Sequence, residues 1–205
     1  MIAIIDYGMG NLRSVQKAFE HLNVKCCVTH DLKKIENASK LVLPGVGAFR
    51  DCMQNLEEKK LIEPILKGIQ SGKPFLGICL GMQVLLTESE EFGSHKGLNV
   101  IPGKVLRFPQ SEALKVPHMG WNSIKKLPAA KGSPLQDIED SAYVYFVHSY
   151  YVVPEDKKII STTTPYGFDF CSSLHQDNIF ATQFHPEKSQ EIGLKILEGF
   201  AQTKE

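Results

Sequence analysis

The chain has 205 residues, in which 23 lysines and arginines balance 23 aspartates and glutamates. That length suits one domain with a substantial core, and the lack of a basic excess or an acidic tail argues against a nucleic-acid partner. No apolar run approaches the length of a membrane span. The five cysteines (Cys26, Cys27, Cys52, Cys79, Cys171) form no C-x-x-C pair, so neither a zinc site nor a disulfide framework is expected.

Met1-Ile2-Ala3-Ile4-Ile5-Asp6 has no basic leader and meets a carboxylate at once, which speaks against a secretory signal, and the odd number of unpaired cysteines fits a reducing cytoplasm. Residues 2–5 form a continuous apolar run, as expected of a strand buried on both faces. After the loop Tyr7-Gly8-Met9-Gly10, the spacing of Leu12, Val15, Phe19 and Leu22 predicts a helix capped by Asn11. Residues 24–29 and 41–43 read as the second and third strands. Pro44-Gly45-Val46-Gly47 follows, then helical segments to about Gln70. Strands alternating with helices imply parallel βαβ units.

The fourth strand runs through Phe75, Leu76 and Ile78 into Cys79, and Leu80 onward has helical spacing. Gly77 and Gly81 lie two residues to either side of Cys79. This is the shape of a nucleophile elbow with a thiol in place of the hydroxyl. It would set the sulfur at a helix N-terminus, where the dipole and free N–H groups favour thiolate. The same residues also describe a buried cysteine in a glycine-flanked turn. Gly8-Met9-Gly10 and Gly45-Val46-Gly47 each invite a dinucleotide reading, but Arg13 and Arg50 occupy the third glycine position, and no phosphate loop occurs. No cofactor is therefore expected; what such loops offer is backbone N–H groups suited to a carboxylate or an oxyanion.

Beyond Gly97, short segments rich in aromatic and β-branched residues (105–108, 121–127, 143–147, 150–153, 159–164 and 168–174) predict strands joining the sheet in antiparallel fashion. Residues 179–184 form the last strand and residues 189–202 the last helix, with Ile196, Leu197, Phe200 and Ala201 facing inward. The expected fold is an α/β layered sandwich, residues 1–205 as a single domain, whose central, mostly parallel sheet is extended by antiparallel strands.

A cysteine nucleophile needs a base, and the base an orienting group. His185 lies in Phe184-His185-Pro186-Glu187 just past the last strand, and residues two apart in an extended segment share a side, so Glu187 could hold His185. A surface turn would use the same tripeptide. What favours chemistry is the pairing: the elbow and the His-Glu pair both fall at strand ends that converge on the carboxyl edge of a parallel sheet.

Gly77-Ile78-Cys79-Leu80-Gly81-Met82-Gln83 with Phe184-His185-Pro186-Glu187 resembles the triad, class I glutamine amidotransferases. Asp6 to Leu12, Pro44 to Phe49, Pro117-His118-Met119-Gly120-Trp121-Asn122 and Phe184 to Ser189 narrow the resemblance to the family of glutaminase subunits of imidazole glycerol phosphate synthases, over essentially the whole chain. The resemblance implies a class I glutamine amidotransferase fold and a Cys79, His185, Glu187 triad acting on L-glutamine through a cysteinyl thioester. It also implies an oxyanion hole from backbone groups of Val46, Gly47 and Leu80, and a substrate site at Gln83, Glu91, Ser149 and Tyr150.

Without the family, Glu91 would read as a solvated charge in Glu88-Ser89-Glu90-Glu91, Trp121 as an ordinary core tryptophan, and His148 is left open between a structural and a functional part. The implied partner is a β/α-barrel cyclase subunit forming a heterodimer, with Asn11, His118, Met119, Trp121 and Asn122 at the docking face. The chain ends soon after its last helix, so the ammonia acceptor is expected on that second polypeptide. The Gly45-Val46-Gly47 peptides are expected to be misaimed until the partner binds its ligand. A paralogous glutaminase feeding another acceptor, such as an amidino sugar, is the alternative.

Overall fold

Every side chain of β1 (Ile2–Ile5) is buried, and successive residues feed opposite cores: Ile2 and Ile4 on one side, Ala3 and Ile5 on the other. A strand covered on both faces belongs inside a layered sheet. The computed structural model describes residues 1–109 and 114–203. After β1 come α1 (Leu12–His21), β2 (Cys26–Thr29), α2 (Leu32–Asn37), β3 (Lys40–Gly45), α3 (Phe49–Glu58), α4 (Ile62–Gln70), β4 (Phe75–Cys79) and a single helical turn, α5 (Leu80–Gln83). The second half holds β5 (Leu86–Ser89), β6 (His95–Lys96), β7 (Ile101–Arg107), β8 (His118–Ser123), β9 (Lys125–Lys126), β10 (Tyr143–His148), β11 (Tyr150–Pro154), β12 (Ile160–Pro165), β13 (Asp169–Gln176), β14 (Ile179–Thr182) and α6 (Gln190–Gln202). Among the described residues no helix is long and apolar enough to cross a membrane.

The parallel part of the sheet runs β2-β1-β3-β4-β14, and β13, β11, β7, β5 and β6 continue it, mostly antiparallel. On one face Val15 and Phe19 of α1 and Ile196, Leu197 and Phe200 of α6 pack with Ile4, Val42, Leu76 and Ile78. On the other, Ile35, Phe49, Leu56 and Ile65 from α2, α3 and α4 pack with Ile5, Leu41, Leu43 and Phe75. The expected layered α/β sandwich is what the chain forms.

Several local expectations are corrected. Asn11 caps α1 through its carbonyl, which accepts from the N–H groups of Ser14 and Val15; its side chain makes no capping bond. The second strand starts at Cys26, because Asn23 turns left-handed (φ 57°) and the Val24 N–H returns to the Phe19 carbonyl, closing the helix end. The strand β5 takes in Glu88 and Ser89, the first half of the acidic run that reads as solvated charge. The pair β8–β10 does not join the main sheet. It forms a two-stranded sheet of its own, whose inner face packs flat on the aromatic core: the Phe146 ring lies edge-on to Phe170 and Phe184, centroids 5.8 Å away in each case.

The elbow itself is clamped by backbone. A Cβ added at Gly81 would fall 1.8 Å from the Leu43 carbonyl oxygen, and one at Gly77 would fall 2.6 Å from the Gly81 carbonyl oxygen. Neither neighbour is a movable side-chain tip, so β3, β4 and α5 approach as closely as glycine alone permits. Gly81→Ala is expected to cost at least about 2 kcal/mol of stability, read as a lowered urea midpoint. An unchanged midpoint would show that the elbow is free to shift.

Candidate active site

Cys79 ends β4 with φ 54° and ψ −105°. A non-glycine residue held at positive φ costs strain, and such strain persists only where the surroundings impose it; here the clamped glycines do so. The expected helix beyond Leu80 is one turn long, because Val84 closes it and the chain enters β5. So short a helix has little dipole, and what it presents at the sulfur is the unpaired N–H groups of its first residues. Because β4 pairs in parallel with β3 and β14, Gly45 lies beside Cys79 and Thr182 beside Ile78. Both Val46-Gly47 and the segment from Gln183 to Glu187 therefore leave the sheet at the sulfur's edge.

His185 and Glu187 are brought together as the sequence suggests, though by a different backbone. His185 is extended, while Pro186–Lys188 forms a 3-10 turn that folds Glu187 back onto the ring. The His185 Nδ1 to Glu187 Oε1 distance is 2.8 Å, with side chains only 2% and 1% exposed. The backbone of His185 is clamped to β10: its N–H donates to the Tyr145 carbonyl at 2.9 Å, and Ser189 Oγ donates to its carbonyl at 2.7 Å. The imidazole interacts with Cys79, while its Nε2 makes no geometrically complete hydrogen bond among the described residues. Catalytic bonds are often loose until substrate is bound. Burial opposes a charged imidazole here, yet Cys79 and the Glu187 carboxylate more than offset it, and the His185 pKa is pushed up to about 10.

The sulfur opens onto a cleft of about 390 Å³ lined by Val46, Gly47, Cys79, Leu80, Gln83, Glu91, Pro117, Val147, His148, Ser149, Tyr150 and Lys188. All the residues expected at the oxyanion hole and the substrate site thus border one space. Glu91 is not a solvated charge. It is 9% exposed, its Oε2 accepts from the Phe49 N–H at the start of α3 at 2.6 Å, and burial raises its pKa, opposed by that bond. Gln83 Nε2 donates to the Tyr150 carbonyl at 3.2 Å and to Gln183 Oε1 at 3.1 Å. Gln183 was not anticipated. Wholly buried, it donates from Nε2 to Cys79 Sγ at 3.6 Å. The one trace of it in the sequence is its spacing of two from His185. Lys188, also unanticipated, borders the cleft.

The residues expected at a docking face divide. Met119 and Trp121 alternate outward on β8, 63% and 46% exposed, and Asn11 is exposed. His118 corrects the expectation: it points inward, 3% exposed, its ring stacked on Tyr166 at 3.9 Å and on Phe146 at 4.8 Å. Asn122 shares that inward side, half-buried, and donates to the Pro165 carbonyl at 2.9 Å. Strand alternation, which sends residues two apart to one face, is the reason.

A sharply turned cysteine and a glycine-rich backbone loop on one cleft, with a buried imidazole–carboxylate pair beside the sulfur, are the parts that thiol-dependent acyl transfer requires. The chain belongs to the class-I glutamine amidotransferase family, whose model matches residues 3–202. It is 60% identical over 210 residues to the imidazole glycerol phosphate synthase subunit HisH of Geobacter sulfurreducens, covering 99% of each chain. It is 50% identical to the HisH subunit of Aquifex aeolicus, covering 98% of this chain and 96% of that one. Among solved structures it superposes on PurLQS from Thermotoga maritima with a TM-score of 0.72 at 17% identity, over 97% of this chain and 96% of that one, which is a likeness of fold.

The raised pKa of His185 sets a pH dependence. Its contribution to stability is fully present below the unfolded value of about 6.5 and is lost as pH rises through about 10. Glu187→Gln removes an anion that favours the imidazolium, so the His185 titration is expected to move downward. Imidazole NMR signals followed against pH test this, and an unmoved titration would contradict it.

Proposed function

We infer that this chain hydrolyses L-glutamine to glutamate and ammonia, and that it passes the ammonia to a β/α-barrel cyclase subunit in a heterodimer. That partner makes imidazole glycerol phosphate and aminoimidazole carboxamide ribotide in histidine biosynthesis. The observation that carries the reading is the meeting of Cys79 with the His185–Glu187 pair at a cleft holding one buried carboxylate, Glu91. Family membership and the HisH relatives support it, and no observation favours an amidino-sugar acceptor.

In this reading the Cys79 thiolate attacks the amide carbon of the glutamine side chain. The oxyanion is received by backbone N–H groups of Leu80 and of Val46 or Gly47, whose value lies in meeting charge that exists only in the transition state. His185 gives its proton to the departing amine, so ammonia leaves and a thioester remains. The imidazole, now neutral, takes a proton from water as that water attacks the thioester. Glutamate departs, and the sulfur and imidazolium are restored. Glu187, bonded to Nδ1, keeps Nε2 toward the reacting atoms. Glu91 pairs with the α-ammonium of glutamine, and Ser149 and Tyr150 enclose it.

Val46 is 37% exposed at the rim, and Gly47 has φ +96°. A loop of this kind can hold its peptides in two orientations. The reading is that the partner, docked against Met119 and Trp121 with its ligand bound, shifts the loop toward the receiving orientation, so the isolated chain hydrolyses glutamine slowly.

Cys79→Ala is expected to abolish ammonia release from glutamine, by at least about 10⁴-fold, while the complex still makes product from ammonium salts. Glu187→Gln is expected to lose about 10²–10⁴-fold, less than Cys79→Ala. Equal losses would mean that the carboxylate does more than orient the base. Glu91→Gln is expected to raise the KM for glutamine about 10- to 100-fold, as loss of a charge-assisted hydrogen bond should, with a smaller change in kcat. Ammonia release at full rate by the chain alone, unmoved by cyclase and its ligand, would sink the coupling.

A further inference from the structure

His118 and His148 stand opposite one another across the β8–β10 pair. Their bonds form a chain whose direction is forced at every link. The Tyr150 carbonyl can only accept, so His148 Nδ1, 2.8 Å away, must donate. In a neutral ring Nε2 then accepts, so His118 Nδ1, 3.0 Å from it, donates. His118 Nε2 in turn accepts from Asn122 Nδ2 at 3.3 Å. The Asn122 amide cannot be reversed, because its nitrogen also donates to the Pro165 carbonyl at 2.9 Å and its oxygen accepts from the Ser123 N–H at 2.8 Å. Two charged rings would set N–H against N–H. Burial independently lowers both pKa values, to about 4 for His118 and about 3 for His148, so the rings are neutral at working pH.

At its far end the chain meets the cleft. The Tyr150 carbonyl that receives His148 also receives Gln83 Nε2, Gln83 binds Gln183 Oε1, and Gln183 Nε2 reaches Cys79 Sγ. Hydrogen bonds therefore run without a break from the strand carrying Met119 and Trp121 to the sulfur. Both histidines are buried, and His118 is wedged between Tyr166 and Phe146, so the links have little freedom to re-form elsewhere.

We propose that Asn122, His118 and His148 form a polarised relay of neutral side chains that positions the Tyr150 carbonyl and Gln83 in the glutamine pocket, making the docking strand and the pocket one mechanical unit. These are positioning residues, since none of them exchanges protons with substrate. The proposal rests on the glutaminase reading above for the identity of the ligand; the hydrogen-bond chain itself does not.

The test uses the complex with cyclase and two substitutions at one position. His118→Phe keeps a planar ring between Tyr166 and Phe146 and removes both nitrogens. His118→Asn puts an N–H donor near the place of Nδ1. His118→Phe is expected to raise the KM for glutamine about three- to tenfold, the scale of one lost buried hydrogen bond, with kcat changed less than about twofold. His118→Asn should bring KM back to within about twofold of the parent. Equal KM in the two variants, or no rise in His118→Phe, would overturn the relay, whatever happens to thermal stability. A parent complex that released no ammonia would instead overturn the glutaminase reading. A second measurement needs no activity: ¹⁵N NMR of the parent should show both imidazoles neutral at pH 7 and protonated on Nδ1. The Nε2–H form or an imidazolium at either position would overturn the relay even if the variants failed to fold.

Discussion

The site depends on one close approach, that of Gly81 to the Leu43 carbonyl, where a Cβ would lie 1.8 Å from the oxygen. With no side chain there, α5 sits directly on β3, and the chain can reverse in a single residue. That residue is Cys79, held at φ 54°. The strain at the cysteine is sustained by parallel pairing of β4 with β3 on one side and with β14 on the other. The geometry that exposes the sulfur is thus anchored in the best-buried part of the sheet, and flexible loops have no part in it.

The same pairings deliver the sulfur's partners. Val46 and Gly47 follow β3, and Gln183, His185 and Glu187 follow β14, so residues more than a hundred positions apart in sequence meet by strand register alone. Electrostatics then takes over. A buried imidazole would ordinarily shed its proton, but Cys79 and Glu187 reverse that preference. By contrast His118 and His148, buried without an acid beside them, have their pKa values lowered and are joined by a hydrogen bond. Three histidines are buried among the described residues, and the thiol and carboxylate beside His185 are what set its protonation apart from that of the other two.

Much of this was legible in the sequence because it rests on period and punctuation. Residues 2–5, 41–43 and 75–79 announced buried parallel strands by unbroken apolar runs, and Gly77 and Gly81 announced the elbow. What escaped is set by contacts distant in sequence. Nothing local in Leu86–Ser89 says that the run will pair with β7 and bury Glu91. Nor does β8 show that it will leave the main sheet to lie over Phe170 and Phe184. His118 was read outward with Met119 and Trp121, although alternation places it on the opposite face from them. Gln183 was missed because the only local trace of it, its spacing of two from His185, is shared by many structural residues; only the fold brings it to Cys79 and Gln83.

The central claim is that the sulfur of Cys79, activated beside His185, is the group that attacks a glutamine held in the cleft. Reaction of the protein with a diazoketone analogue of glutamine, followed by peptide mass mapping, tests it most directly. The account predicts a single adduct on Cys79 that excess glutamine suppresses. Labelling that falls instead on Cys26 or Cys27, or an adduct on Cys79 that glutamine does not protect, would contradict it.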